Sequence, residues 1–390
     1  MLSQRIESLS ESITLAISTL ANELKASGKD IVSFSAGEPD FDTPIAVKNA
    51  AIKAINEGFS KYTPVAGTNE VLKTISEKLK RDNNLTYKPS DIAVNVGAKH
   101  SLFCLFQAVI NHGDEVIIPA PYWVTYPDLV AYCGGKSVVV ETNDKSGFKI
   151  TPAQLKAAIT PKTKLIVLNT PSNPTGSVYS KDELTALAKV LEGTNVLVAS
   201  DEIYEKLIFD SVKFTSFASV SEDAYKRTIT INGLSKAAAM TGWRFGYLAT
   251  PNKEIIGGIK KLLSQSTSNI TSIVQKAAIP GLDGTIDKEI EEMRKAFEAR
   301  RNLFVDGLNN IKGLSVVKPQ GAFYLFVNTK KISNDSMEFS KKLLEEAGVA
   351  VVPGVGFGME GYFRVSYATS EAMIKKGLER IANFVAKNYN

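Results

Sequence analysis

The chain has 390 residues, enough for two domains with sizeable cores. Hydrophobic residues make up 44% and charged residues 22%, a globular balance that excludes a disordered or fibrous protein. The net charge of +5 arises from 46 basic and 41 acidic residues without basic runs, so nucleic acid is not an indicated partner.

The N-terminal stretch "MLSQRIESLSESITLAISTL" places polar residues every few positions, so it is not a secretory signal, and no later run is long and apolar enough to span a membrane. Cys104 and Cys133 form no CxxC pair and sit near no histidine cluster. A disulfide framework, a structural zinc and any other metal site are therefore not expected, and a soluble protein of the reducing cytoplasm is.

From "DIAVNVGAKHSLFCLFQAVI" onward, β-branched runs recur in "DEVIIPAPYW", "KSVVVET", "TKLIVLNT", "NVLVASDEIY" and "RTITINGLSK". Helical stretches such as "TPAQLKAAIT" and "SKDELTALAKVLEG" lie between some of them. Apolar on both faces and separated by helices, these runs predict a mostly parallel sheet covered by helices, an α/β domain over residues 47–282. Beyond it, Ile286, Ile290, Met293, Phe297, Phe304, Leu308 and Ile311 trace one face of a long connecting helix. The remainder, with "GLSVVKP", "GAFYLFVNT", "SMEFSKKLLEEAG", "VAVVPG" and "YFRVSYA", predicts a smaller α+β domain within 283–390; residues 1–46 supply an N-terminal arm and part of that domain.

Open parallel sheets bind ligands at the carboxyl ends of their strands, and several polar residues fall at such ends. In "VNVGAKHSLF" a strand passes through Gly97 into a helix whose first amides, at Ala98 and Lys99, suit an anion, although an ordinary tight turn explains Gly97 equally. Trp123 in "PAPYWVTYP" offers an indole for stacking on a flat ligand or for core packing. "NTPSNPTG" is a rigid turn with Asn173 near its tip, explicable by turn chemistry alone. Asp201 ends the apolar run "NVLVAS", where a buried carboxylate needs a cationic partner or serves as a cap. Tyr204 follows it, as a site phenol or a core aromatic. In "INGLSKAAAMTGWRFGYLA", Lys236 sits in a turn of small residues. A desolvated lysine there is a nucleophile able to form a Schiff base; the alternative is a solvated surface lysine. Arg364, inside the alternating run "YFRVSYA", calls for an acidic partner, either a ligand carboxylate or a structural ion pair.

In order and spacing these pieces resemble the class I and II aminotransferases, pyridoxal phosphate enzymes of fold type I, and within them the bacterial and archaeal aspartate aminotransferase type. The resemblance runs nearly the whole chain, from "SESITLAI" and "SAGEPDFDTP" through "KYTPVAGTNE", "GAKHSLF", "PYWVTYP", "NTPSNPTG", "SDEIYE", "LSKAAAMTGWRFGY", "GAFY" and "VVPG" to "FRVSYATS".

It implies a large domain with a mostly parallel seven-stranded sheet flanked by helices, plus a smaller α+β domain. It implies that Lys236 holds pyridoxal phosphate as a Schiff base and shuttles the proton from the substrate α-carbon. Asp201 would face the ring nitrogen, Tyr204 and Asn173 the ring 3-oxygen, and Trp123 the ring face. Gly97, Ala98, Ser235 and Arg244 would hold the phosphate, with Tyr62 reaching the phosphate of a neighbouring subunit in a homodimer. Arg364, with Asn173, would clamp the substrate α-carboxylate, and the Gly37 backbone would close over it. One subgroup binds the distal carboxylate through a partner-chain arginine, which the corresponding "LLSQSTSNI" lacks; the other uses a lysine at Lys99 with hydroxyls at Ser12 and Thr14, all present here. The implied reaction is ping-pong transfer of the amino group from L-aspartate to 2-oxoglutarate. Prephenate, aromatic or alanine aminotransferase, and a carbon–sulfur lyase on the same apparatus, are the alternatives. A PLP-sensing regulator would need an N-terminal helix-turn-helix module for which the motif order leaves no space.

Overall fold

The computed structural model describes residues 2–10 and 13–389. Among the described residues thirteen strands are formed: β1 (Val32–Ser33), β2 (Ile92–Val96), β3 (Glu115–Ala120), β4 (Lys136–Glu141), β5 (Thr163–Asn169), β6 (Leu197–Asp201), β7 (Thr228–Gly233), β8 (Phe245–Ala249), β9 (Ser315–Val316), β10 (Tyr324–Asn328), β11 (Val349–Ala350), β12 (Val352–Pro353) and β13 (Tyr362–Ser366).

Seven of them make the large sheet, in the order β2-β8-β7-β6-β5-β3-β4. All six apolar runs picked out by their β-branched content are strands of this sheet. The seventh, β8, comes from "FGYLA" and runs antiparallel between β2 and β7, while the other pairings are parallel. The central strand β7 is buried along its whole length, as a sheet covered on both faces requires. At the edge, β4 is partly exposed and carries Lys136 and Glu141 at its ends, charges that oppose pairing with another chain. Helix starts are chemically marked: Ser180 and Glu183 form a reciprocal capping box at the helix Lys181–Leu191, and Thr151 caps Pro152–Ala158.

The register of the large sheet builds one edge of the site. Asn169 pairs with Asp201, and Asp201 with Ile231, so the carboxyl ends of β5, β6 and β7 lie side by side. The turn carrying Lys236 follows immediately after β7.

The smaller sheet is antiparallel, β12-β13-β10-β9, and β1 from the N-terminal segment pairs in parallel with β11 nearby. Joining the two regions is the helix Asp287–Asn309; it carries five of the seven residues of the expected apolar face, with Ile286 and Ile311 just outside its ends, and all seven are buried. That face also holds Arg301, fully buried. Its guanidinium donates to both oxygens of Asp210 at 2.6 and 2.8 Å and to the Pro319 carbonyl at 2.8 Å, and covers the Phe209 ring at 4.9 Å. The helix is thereby pinned to the loop after β6. Because Asp210 is part-exposed and regains water, Arg301→Ala should cost about 3 kcal/mol in denaturant unfolding, toward the low end for removing one partner of a buried pair. A loss under about 0.5 kcal/mol, the level of a neutral surface change, would contradict this role.

Candidate active site

The turn between β7 and β8 is shaped by its small residues. Ala237 and Ala238 are buried against the core, and Trp243 donates its indole N–H to Thr43 Oγ1 at 3.0 Å, which in turn donates to the Ala239 carbonyl at 2.7 Å. Ala239 and Arg244 both adopt left-handed φ, 49° and 57°, a strained conformation for residues with a Cβ that this bracing maintains. Lys236 is thereby directed into a cavity of about 450 Å³ at the carboxyl edge of the large sheet. Its ammonium donates to the Gly37 carbonyl. Burial, and then the like charge of Arg364, lower the Lys236 amine to about 8, against the opposing pull of Glu38 and Asp201.

Asp201 lies on the floor of the same cavity, 2% exposed. Its partner is not a cation in direct contact. The Tyr126 hydroxyl donates to Asp201 Oδ2 at 2.8 Å and the Ile203 amide to Oδ1 at 3.3 Å. Burial raises the carboxyl to about 6, and these donors limit the rise. A cation brought near it would find a carboxylate with spare acceptor capacity.

Asn173 receives a hydrogen bond from Arg364 Nη1 at 3.0 Å on its Oδ1, which leaves its NH₂ group as a donor. Arg364 is 2% exposed and has no acidic side chain paired with it among the described residues. Its Nη2 donates to the Ser35 carbonyl at 2.9 Å, its plane lies over Tyr324 at 4.5 Å and Phe357 at 5.1 Å, and Nε has no partner. Of the two acids the sequence allowed, a structural ion pair is not formed among the described residues; a neutral amide, a backbone carbonyl and two aromatic faces hold the guanidinium, which leaves a ligand carboxylate as the remaining reading.

At the other end, Gly97 has φ +82° and starts the helix Ala98–Val109. A Cβ on Gly97 would stand 2.6 Å from Arg244 Nη2, so only glycine lets that guanidinium lie against the helix start. Arg244 donates to the carbonyls of Thr241 at 2.7 Å and Val96 at 3.4 Å. Ser235 lines this end as well. Lys99 covers the Trp123 ring at 5.0 Å, its amine lowered by burial and then by Arg244. Among the described residues, no carboxylate pairs with Lys99, Lys236, Arg244 or Arg364. Four cations converging with few acids make a site for a ligand carrying several negative charges.

Of the residues singled out in the sequence, Gly37, Ala98, Lys99, Trp123, Asn173, Asp201, Tyr204, Ser235, Lys236, Arg244 and Arg364 all line this one cavity. Tyr62 does not; it is 90% exposed. Ser12 and the side chain of Thr14 lie outside the described residues. Sequence reasoning passed over Glu38, Tyr126, Asn169, Thr241 and Tyr324, which line the cavity too. All five lay inside motifs already noticed, Glu38 in "SAGEPD", Tyr126 in "PYWVTYP", Asn169 at the start of "NTPSNPTG", Thr241 in "LSKAAAMTGWRFGY" and Tyr324 ending "GAFY", but none was given a role there. A larger cavity of about 870 Å³ beside the helix Ile13–Ala26 has mixed apolar and ion-paired walls and gathers no such cation set. Among the described residues, no helix is long and apolar enough to cross a membrane.

The sequence matches the family "Aminotransferase class I and II" over residues 29–381. It is 50% identical over 392 residues to the aspartate aminotransferase of Bacillus subtilis (strain 168), covering 99% of each chain. With a probable aspartate/prephenate aminotransferase of Aquifex aeolicus (strain VF5) it shares 45% identity, covering 97% of each. The crystal structure of the aspartate aminotransferase from Rhizobium meliloti superposes with a TM-score of 0.96 at 43% identity over the full length of both chains. The expected fold type I architecture is therefore the one found, and the chain belongs to the class I and II aminotransferases.

Proposed function

We propose that this enzyme transfers the amino group of L-aspartate to 2-oxoglutarate, giving oxaloacetate and L-glutamate in a ping-pong cycle, with pyridoxal 5'-phosphate held at Lys236. The observation that carries the reading is a lysine amine lowered to about 8 in a cavity with three further cations that no carboxylate among the described residues pairs.

The cavity fits that cofactor by its chemistry. For a phosphate there are Arg244, the Ser235 hydroxyl and the amides of Ala98 and Lys99, which donate to no backbone acceptor among the described residues. For a protonated ring nitrogen there is Asp201, for a phenolic oxygen the Tyr204 hydroxyl and the Asn173 NH₂, and for the ring face the Trp123 indole. When bound, the cofactor supplies an aldehyde that condenses with amines and a ring that takes up electrons from the substrate α-carbon.

The protein's own groups then divide the remaining work. The substrate α-carboxylate binds Arg364, whose Nε is without a partner, and Asn173 orients the guanidinium. Lys236, its amine lowered to about 8, would hold a larger free-base fraction near neutral pH than an ordinary lysine and would be the base that removes the proton from the substrate α-carbon. Asp201 keeps its negative charge against the ring nitrogen because Tyr126 and the Ile203 amide both donate to it. Lys99 attracts a distal carboxylate, and with it Ser12 and Thr14 are proposed to bind an acidic side chain.

The working unit we infer is a homodimer. The helix Ile45–Asn56 leaves Ile45, Ile52 and Ile55 exposed by 64, 54 and 58%, and Tyr62 follows it, too exposed to serve its own cavity. A second copy covers that apolar face and receives Tyr62 at its phosphate site. We also keep the division of the chain into an arm at 1–46, a large unit at 47–282 and a small unit at 283–390, the two sheets supporting it.

The test is to add aspartate, glutamate, tyrosine and alanine singly to the yellow holoenzyme, and then 2-oxoglutarate or prephenate, a 2-oxo acid with no amine to donate, to the aminated form. Aspartate should discharge the visible absorbance without any oxo acid present, and 2-oxoglutarate should restore it. No response to aspartate with a strong one to tyrosine or alanine would reassign the donor, restoration by prephenate and not by 2-oxoglutarate would reassign the acceptor, and ammonia release without transfer would identify a lyase. Lys99→Ala should lower kcat/KM for aspartate by about 10- to 100-fold, the worth of one charge-assisted hydrogen bond, and leave alanine nearly unchanged. Equal losses for both donors would count against Lys99 as the distal-carboxylate residue.

A further inference from the structure

Tyr324 stands between the two halves of the cavity, and neither the family resemblance nor the roles above use it. It opens β10 of the smaller sheet and is 1% exposed. Its hydroxyl lies 2.9 Å from that of Tyr204, which comes from the loop after β6 of the large sheet, with the two rings edge-on at 5.8 Å. β10 and β13 pair so that Arg364 faces Phe326, which sets Tyr324 diagonally beside Arg364 on the same face. The Arg364 guanidinium lies 4.5 Å from the Tyr324 ring centre. One phenol therefore touches both the arginine assigned to the substrate carboxylate and the tyrosine assigned to the cofactor's 3-oxygen.

Each phenol has a single proton to donate. If the Tyr204 hydroxyl donates to an anionic oxygen in the cavity, it can only accept from Tyr324, so the order of donation becomes Tyr324 to Tyr204 to ligand. The cation over the Tyr324 ring favours the phenolate-like character of that oxygen and strengthens it as a donor. A carboxylate seated on Arg364 cancels much of that charge and weakens the chain of donation. We propose that Tyr324 is a positioning residue that transmits occupancy of the carboxylate site at Arg364 to the hydroxyl of Tyr204. The cofactor is thereby tuned differently before and after substrate arrives. This rests on the pyridoxal phosphate reading of the site.

The experiment is a pH titration of the visible absorbance of the holoenzyme, with and without succinate, a dicarboxylate that lacks the amine and cannot react. In the unaltered enzyme succinate should raise the titration midpoint, because neutralising Arg364 favours the protonated chromophore. Tyr324→Phe keeps the ring over which Arg364 lies and deletes only the hydroxyl. It should raise the succinate-free midpoint by about half to one pH unit, the worth of one hydrogen bond, and at least halve the succinate-induced shift. Phe357→Leu removes the other ring beside Arg364 without touching the hydroxyl pair, and should keep the shift of the unaltered enzyme. A Tyr324→Phe protein with the unaltered midpoint and shift would overturn the inference. So would a Phe357→Leu protein that loses the shift equally, since general packing around Arg364 would then explain both. If the unaltered protein develops no visible absorbance with pyridoxal phosphate, it is the cofactor reading that fails.

Discussion

Replacing Lys236 by alanine is expected to lower transamination of aspartate by more than about 10⁴-fold, above what general acid–base catalysis alone supplies, while the protein stays folded. Two functions disappear together. The cavity loses the amine that fixes the cofactor, and it loses the base that reaches the α-carbon. The fold should tolerate the change, because removing an amine whose burial disfavours its charge relieves a cost to the folded chain. Borohydride reduction of the unaltered holoenzyme followed by peptide mapping should place the pyridoxyl group on Lys236, and a label on another lysine would refute the assignment.

The same amine sets a pH dependence. With its value lowered to about 8, the free base grows as pH rises toward 8 and is the major form above it. Capture of pyridoxal phosphate by the apoprotein should therefore accelerate with pH and level off above about 8, where an ordinary lysine would still be climbing. A rate that keeps rising through about pH 10 would mean an unperturbed lysine.

Arg364→Leu should lower kcat/KM for aspartate by about 10²- to 10³-fold, since a buried charged pair broken on one side is worth about 3–4 kcal/mol. The same substitution should raise the activity ratio of an amine without an α-carboxylate over aspartate, because such an amine never used the guanidinium. Arg364→Lys should recover little. An ammonium cannot make two parallel bonds to a carboxylate, nor place a planar group over the Tyr324 ring, whose centre the guanidinium carbon approaches to 4.5 Å. Equal losses for both amines would show that Arg364 serves the architecture of the cavity rather than the carboxylate.

Much of this site was legible in order along the chain. Strands β2 to β7 announced themselves by β-branched runs, and the helix Asp287–Asn309 by its apolar spacing. Lys236, Asp201, Asn173, Arg244 and Arg364 lay in motifs whose joint order carried the family resemblance. Tyr126 lay in "PYWVTYP" as well, but was given no role, because a tyrosine on the helix Thr125–Tyr132 reads as packing until its hydroxyl is found 2.8 Å from Asp201. Strand β8 was legible as the strand-like run "FGYLA" after the turn bearing Arg244, but its antiparallel placement between β2 and β7 was not. Arg301 looked like one charge on an amphipathic helix, and only its pairing with Asp210 explains a guanidinium in the core.

Local chemistry, by itself, determined which segments become strands and helices and which turns hold Lys236 and Gly97, since periodicity, small residues and glycine act over a few neighbours. The tertiary structure alone decided that a neutral amide and a backbone carbonyl hold Arg364, that Tyr324 bridges Arg364 and Tyr204, and that four cations share one cavity. Those facts depend on strand register and on how the two sheets meet, and shifting a strand by one residue turns every side chain on it to the opposite face. No pattern of near neighbours encodes that.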